Sequence, residues 1–309
     1  MAPPLLAIVG PTASGKTDLA LALARESPFE IVVADSRQVY RGMDIGTAKP
    51  GAAARAAVPH HLIDLVDPDE PFTVADWVAR ARRLLPEIAG RGRLPLVVAG
   101  TGLYLAALID GHDYERQPFS PETRQRIAAE LEAEGLSALG QRLARLDPEL
   151  ARRIDLRNPR RILRALERAE AGGGATTISA DPYPGRLALI GLRRPREDLY
   201  RRIDERAAWM FVEGGLLAEV RRLLDAGFGA ELHPMTGHGY GEAARHLAGE
   251  WSLEHAIEVT ARRTRQYAKR QLTWYRRDAR IAWISIDDRA ADDPAVVTAA
   301  DGLLRGAVS

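Results

Sequence analysis

Two stretches of this chain hold residues whose types and spacing suit chemistry. The first is GPTASGKT, Gly10 to Thr17, which fits the pattern G-x-x-x-x-G-K-[ST] in full. Between a strand and a helix, such a loop turns backbone N–H groups and a helix N-terminus toward an anion. Lys16 adds a point charge for phosphate oxygens, and the Thr17 hydroxyl suits Mg2+. The pattern does not say whose phosphates are bound. ATP and GTP are the default, and a diphosphate ester without a nucleoside fits the same cradle. The second stretch is VVADSRQVY, residues 32–40, where an apolar run ends abruptly in Asp35. A carboxylate beside a phosphate site holds a metal, takes a proton from an acceptor, or caps the next turn.

A nucleotide switch would show another strand ending in an acid for a second Mg2+ contact. LPLVVAGTGLY ends instead in Ala99, Gly100 and Thr101. In LIDLVD, Asp64 would sit inside a strand, with Asp67 beyond it, and no Asn-Lys-x-Asp guanine-reading motif occurs. Thr101 can donate to a phosphate or bridging oxygen, cap the helix beginning near Leu103, or do both.

The elements that must position these residues follow an alternating pattern. Apolar runs at 5–9, 31–34, 62–66 and 94–99 read as buried parallel strands, with helices at 16–26 and about 73–89 between them. That is an α/β fold: a P-loop NTPase-like parallel sheet flanked by helices. Asp35 and the phosphate loop should converge at the C-terminal edge of the sheet, where open parallel sheets carry ligands. Residues 113–183 hold no convincing buried strand. SPETRQRIAAELEAEG opens on Ser120-Pro121 and stops at Gly135, DPELARRI repeats the opening, and NPRRILRALERAEAGGG ends in Gly172–Gly174. This predicts an all-helical insertion domain at 113–183 within a core of 1–112 and 184–309. Strand character returns at 186–192 and at IAWISID, with helices at about 196–212, 213–226, 252–278 and 293–306.

The bulk numbers bound the class. A chain of 309 residues suits two domains, or one with an insertion, and 46% hydrophobic content is ample for a core. No apolar run reaches eighteen residues, and there is no cysteine, so membrane spans, disulfides and thiolate zinc sites are not expected. A cytoplasmic monomer is the simplest expectation. Net charge is only +1, and just three of the 43 basic residues are lysine. Arginine content follows an alanine-rich composition and says little alone. Its placement says more. Residues 260–277, TARRTRQYAKRQLTWYRR, carry seven basic residues and no acid. On a helix Arg263, Tyr267, Arg270, Trp274 and Arg277 share a face, which suits phosphates and stacked bases or is simply a solvated helix side. Arg152 to Arg168 add seven arginines against two acids. The adjacent His60 and His61 point to opposite faces of a strand and are read as structural.

Several segments together resemble the tRNA dimethylallyltransferases, the bacterial isopentenyltransferases. They are GPTASGKT, ADSRQVYRGMDIGTAKP, VPHHLIDLVDP, VVAGTGLYLAAL, NPRRILRALE, RRIDERAAWM, HGYGEA and TRQYAKRQLTWYRR, in the family's order over roughly residues 5 to 285. The resemblance implies transfer of a dimethylallyl group from its diphosphate to N6 of adenosine 37 in tRNA, with Mg2+ and release of diphosphate. It implies that Asp35 takes the N6 proton, Thr101 supports the reacting groups and Arg206 neutralises the leaving group. Gly10, Pro11, Thr12, Ala13, Ser14, Gly15, Lys16 and Thr17 would hold the diphosphate, Thr17 with the metal. It implies tRNA contacts from Asp35, Ser36, Arg37, Gln38 and Thr101 around a flipped base. Further contacts are implied for Arg124, Arg160, Arg161 and Arg164 in the insertion. The last set is Gly239, Tyr240, Arg265, Gln266, Lys269, Arg270 and Gln271. Gly241 stands where the family often has a basic residue, which argues against a phosphate contact there. The zinc finger of eukaryotic members is not expected without cysteine. Two other classes fit the residues alone: a small-molecule P-loop kinase with Asp35 as base, and a non-catalytic RNA-binding protein gated by a nucleotide.

Overall fold

The computed structural model of the chain describes residues 2–111, 120–170, 181–287 and 289–308. Six parallel strands form one sheet in the order β3-β2-β4-β1-β5-β6. They are β1 (Leu5–Val9), β2 (Phe29–Ala34), β3 (His60–His61), β4 (Leu94–Ala99), β5 (Leu187–Arg193) and β6 (Ile281–Ser285). β1 is LLAIV and wholly buried, as a central parallel strand must be when both faces are covered. Alternate side chains serve opposite faces. Leu5, Ala7 and Val9 join one core with Trp77, Leu85 and Leu216, whereas Leu6 and Ile8 join the other with Leu19, Leu23 and Val297.

Helices cover both faces: α1 (Lys16–Glu26), the short α2 (Ala52–Ala57), α3 (Val74–Gly90) and α4 (Gly102–Asp110). After the helical unit come α8 (Arg196–Val212), α9 (Leu216–Asp225), α10 (Tyr240–Leu247), α11 (Leu253–Tyr275) and α12 (Pro294–Val308). The chain divides into two compact units, Met1–Ile109 with Pro182–Ser309, and Asp110–Asp181. The second holds α5 (Pro121–Leu146), α6 (Pro148–Arg153) and α7 (Pro159–Glu170) around Ile127, Leu139, Leu143, Ile162 and Leu166. Ser120 Oγ accepts from Thr123 N–H at 3.1 Å to start α5, and Gly135 (φ 79°, ψ 169°) breaks it. The expected stop at Gly172–Gly174 lies outside the described residues. No described helix is long and apolar enough to cross a membrane.

The strand expected at 62–66 does not form. β3 is only His60–His61, and Val66 keeps a single bridge to Tyr40. Leu62 and Asp64 have left-handed backbones (φ 61° and 53°), which break an extended run. Asp64 instead binds Lys49 Nζ at 2.5 Å and Arg55 Nη1 at 2.7 Å. The helix expected from 213 begins at Leu216.

Trp77 anchors α3 to the sheet. It is 0% exposed, its Nε1–H donates to Val33 O at 2.9 Å, and its ring lies 5.2 Å from Tyr104. Trp77→Ala is expected to cost about 3–5 kcal/mol. Urea unfolding, with hydrogen exchange at β2 and β4 amides to isolate the core, checks this.

Candidate active site

Register brings three strand ends level. Val9 pairs with both Ala99 and Gly191, and Ala34 pairs with Ala99. The residues that follow, Gly10, Asp35 and Gly100-Thr101, therefore leave the sheet along one edge. Ala34 O accepts from Gly100 N–H at 3.1 Å and Thr101 N–H at 2.9 Å, locking β2 to β4 beyond the paired strands.

Asp35 divides its two oxygens. Oδ1 accepts from Arg37 N–H at 2.8 Å and Gln38 N–H at 3.3 Å, so it caps the turn. Oδ2 lies against Gly100, where any Cβ would overlap it, and accepts no hydrogen bond among the described residues. Thr101 Oγ1 accepts from Ser36 N–H at 3.0 Å and donates to Ser36 Oγ at 3.3 Å, while its carbonyl opens α4. The Tyr267 hydroxyl donates to Gly100 O at 3.3 Å, and burial with the nearby Asp35 raises this phenol to about 12.

The phosphate loop runs from β1 into α1 as its pattern requires. Lys16 Nζ folds over it, donating to Gly10 O at 3.0 Å and Pro11 O at 2.9 Å. Burial lowers this ammonium to about 8, with Asp35 opposing the shift and Arg206 adding to it. Residues from three elements thus act on one charge. Arg206 makes no hydrogen bond or ion pair among the described residues. Burial lowers its guanidinium below the usual range, opposed by Asp18 and reinforced by Arg202. Arg202 Nε donates to Ala13 O and Arg194 Nε to Ser14 O, each at 3.1 Å. A trans peptide sets its N–H opposite its carbonyl, so the contact at Ser14 turns the Gly15 N–H the other way.

α11 lies across the strand ends. Gln271 accepts from Thr12 N–H at 2.8 Å through Oε1 and donates to Gly100 O at 2.6 Å through Nε2, joining the phosphate loop to β4. Tyr275 donates to Ala99 O at 3.0 Å. Nearby, Arg37 Nη1 donates to His233 O at 2.6 Å, and burial lowers its guanidinium. His238 lies edge-on to Tyr267, 5.4 Å between centroids. Burial, with Arg263, Arg270 and Arg37 adding, holds His238 down at about 4.

Two residues expected to touch RNA are buried instead. Gln271 is 6% exposed with its amide committed inside the protein, and Tyr240 is 1% exposed with its hydroxyl on Glu219 at 2.5 Å. Their side chains build the site and do not reach its surface. Gly239 opens α10, its N–H donating to Glu242 Oε2 at 2.8 Å. Gln266, Lys269 and Arg270 are exposed on the outer side of α11, while Arg265 pairs with Asp204 and Arg263 with Glu242. In the helical unit, Arg124 and Arg164 converge on Glu167 at 2.7 and 3.0 Å, whereas Arg160 and Arg161 are exposed without an ion pair among the described residues. His60 and His61 bond to Val58 O and Glu30 Oε2, each at 2.7 Å, and no described cluster of three His, Asp or Glu could hold a metal. Arg194, Arg202 and His238 escaped the sequence reading. Only Arg202 left a signal, its four-residue spacing from Arg206.

A G-x-x-x-x-G-K-T loop between the first strand and first helix of a parallel sheet defines a P-loop phosphate-binding α/β protein. Residues 38–278 match the IPP transferase family model, and residues 3–58 match that for isopentenyl transferase. The chain belongs to the IPP transferase family. It is 46% identical over 287 residues to the tRNA dimethylallyltransferase of Heliobacterium modesticaldum, covering 91% of this chain and 89% of that one. It is similar to the crystal structure of the Bacillus halodurans tRNA isopentenylpyrophosphate transferase (41% identity, TM-score 0.72, 98% and 97% covered). It is also similar to a eukaryotic dimethylallyltransferase captured acting on tRNA (26% identity, TM-score 0.74, 93% and 75% covered).

The lowered Lys16 value makes anion binding proton-linked. Below about pH 8 the free protein carries this charge, and above it the charge is lost. A bound anion favours the charged form, so affinity falls as pH rises through 8, with proton uptake on binding near that pH. Calorimetric titration with inorganic diphosphate at pH 8.5, in buffers of different ionisation enthalpy, should show uptake in the wild type that Lys16→Met lacks.

Proposed function

We propose that this chain transfers the dimethylallyl group of dimethylallyl diphosphate to N6 of adenosine 37 in tRNA. The carrying observation is the free Asp35 Oδ2 beside Thr101, at the same sheet edge as the phosphate loop with Lys16 and the unpaired Arg206. A kinase site would serve a hydroxyl. The exposed basic side of α11, with Gln266, Lys269 and Arg270, suits RNA, as do Arg160 and Arg161 of the helical unit. Arg124 and Arg164 would join them by exchanging Glu167 for phosphate.

In this reading the N6 lone pair attacks the allylic carbon and the C–O bond breaks toward the diphosphate. Asp35 Oδ2 takes the N6 proton. The Gly15 N–H, Lys16 and Arg206 stabilise the charge growing on the departing oxygens. Thr101, held by Ser36, positions the reacting groups, and Ser36, Arg37 and Gln38 flank a base flipped from its stack. The donor set fits Mg2+: a first-turn Thr17 hydroxyl and little else from the protein suits an ion that keeps waters and binds substrate phosphates. Bound there, Mg2+ would offset diphosphate charge.

Asp35→Asn keeps an acceptor for the turn but loses the base. It is expected to lower transfer by at least about 100-fold and leave tRNA affinity within about threefold. Incubating the protein with Mg2+, dimethylallyl diphosphate and unmodified tRNA, then weighing the digested nucleosides, tests both the activity and its site. Retained turnover in Asp35→Asn overturns the base assignment. Arg270→Ala should weaken tRNA binding and reduce its salt slope by about one; an unchanged slope makes the outer side of α11 merely solvated.

A further inference from the structure

Glu219 on α9 is 1% exposed, yet no cation pairs with it among the described residues. A buried carboxylate needs full hydrogen-bond compensation. Oε2 accepts from Asp44 N–H at 3.1 Å and Ile45 N–H at 2.9 Å. Oε1 accepts from Ile45 and Gly46 N–H at 3.1 and 3.4 Å, and from Tyr240 Oη–H at 2.5 Å. Three successive amides aimed at one point form an anion nest, filled here by the protein's own carboxylate. The Tyr240 ring packs on Gly46 so closely that any Cβ there would overlap it.

The nest shapes the turn that follows, and that turn ends in two carbonyls with a task. Gln38 Nε2 donates to Thr47 O at 3.1 Å and to Ala48 O at 3.4 Å. Both partners are carbonyls, so the nitrogen must face them and its donors are directed at that turn. Gln38 Oε1 accepts nothing among the described residues. The backbone N–H of the same residue is held by Asp35. Gln38, three residues on from Asp35, therefore presents an uncommitted acceptor, while its donors are turned to the 47–48 carbonyls. An acceptor there suits an exocyclic amine and repels a keto oxygen.

We propose that Glu219, supported by Tyr240, is a positioning residue that fixes the 44–48 turn so that Gln38 presents Oε1 and favours a 6-amino over a 6-keto purine. This rests on the proposed reading of the chain as an adenosine prenyltransferase. In Glu219→Gln an amide NH2 faces backbone donors, and the nest loses its anion.

The test compares wild type, Glu219→Gln, Tyr240→Phe, Gln38→Ala and the Glu219→Gln/Gln38→Ala double variant on an anticodon stem-loop RNA. Glu219→Gln should lower kcat about tenfold, with KM for dimethylallyl diphosphate and inorganic diphosphate affinity within about twofold. The double variant should be within about twofold of the slower single variant, because both changes act through one contact. In competition binding, wild type should prefer the adenosine-37 stem-loop over its inosine-37 counterpart, and the preference should shrink toward one in Glu219→Gln and Gln38→Ala. A merely structural role lowers the melting temperature without moving that preference. Multiplicative losses in the double variant, or an unchanged preference in Glu219→Gln, overturn the proposal. If Glu219→Gln does not fold, Tyr240→Phe decides: a reduced preference supports the proposal and an unchanged one overturns it. A wild type that makes no prenylated adenosine sinks the proposed function, and this inference falls with it.

Discussion

The site depends on one carbonyl. Ala34 O accepts from both Gly100 and Thr101, and this pair of bonds sets β2 and β4 level just past their last paired residues. Asp35 and Thr101 then emerge side by side, and Asp35 Oδ2 comes so near Gly100 that no side chain is tolerated there. The rest of the edge is fastened to the same point. Tyr267 and Gln271 both donate to Gly100 O, and Gln271 carries the link on to Thr12 of the phosphate loop. Asp35, Thr101 and the anion cradle are thus held in one backbone frame, which is the preorganisation that the proposed reaction needs.

That frame is loaded with positive charge that the free protein does not neutralise. Burial lowers the pKa of Lys16, Arg37, Arg206 and His238 alike. Lys16, Arg37 and Arg206 have no ion pair among the described residues, Lys16 and Arg37 being held only by backbone carbonyls, so this positive charge is left for an anionic ligand. His238 answers the same field differently, staying neutral beside three arginines. The arginines behind the loop work the other way. Arg194 is bonded to Ser14 O and to Asp198 at 2.9 Å, so its charge is spent on holding the loop in shape.

How much of this was legible depended on the range of the interaction. Local patterns carried the phosphate loop, the strands at 5–9 and 94–99, the break at Gly135 and the placing of Asp35 at a strand end. The run 62–66 misled because its apolar residues look like a strand, while its backbone is set by Lys49 and Arg55 reaching Asp64 from elsewhere in the chain. The burial of Tyr240 and Gln271 was not legible for the reverse reason. Both are polar residues in segments that resemble an RNA-binding surface, but partners 21 and 259 residues away draw them inside. Glu219 carried no signal, since an acid on an amphipathic helix reads as exposed until its amide partners at 44–46 are seen.

α11 joins the two halves of the reading. Tyr267, Gln271 and Tyr275 fall four residues apart and lie on the sheet edge; Gln266, Lys269 and Arg270 face outward. A straight helix separates those sides by about half a turn, so one rigid element braces the strand-end frame on one side and carries exposed basic residues on the other. Gln266 and Lys269 can change without disturbing the strut, whereas the Arg270 guanidinium also lies over the Tyr267 ring, 5.7 Å from its centroid, and so bears on the bracing side. The inner ones cannot: each bonds to backbone at the strand ends, so substitution there moves the atoms that position the chemistry. In the proposed reading the same helix would serve both recognition and catalysis, with no boundary between the two in sequence and with Arg270 over Tyr267 linking its sides.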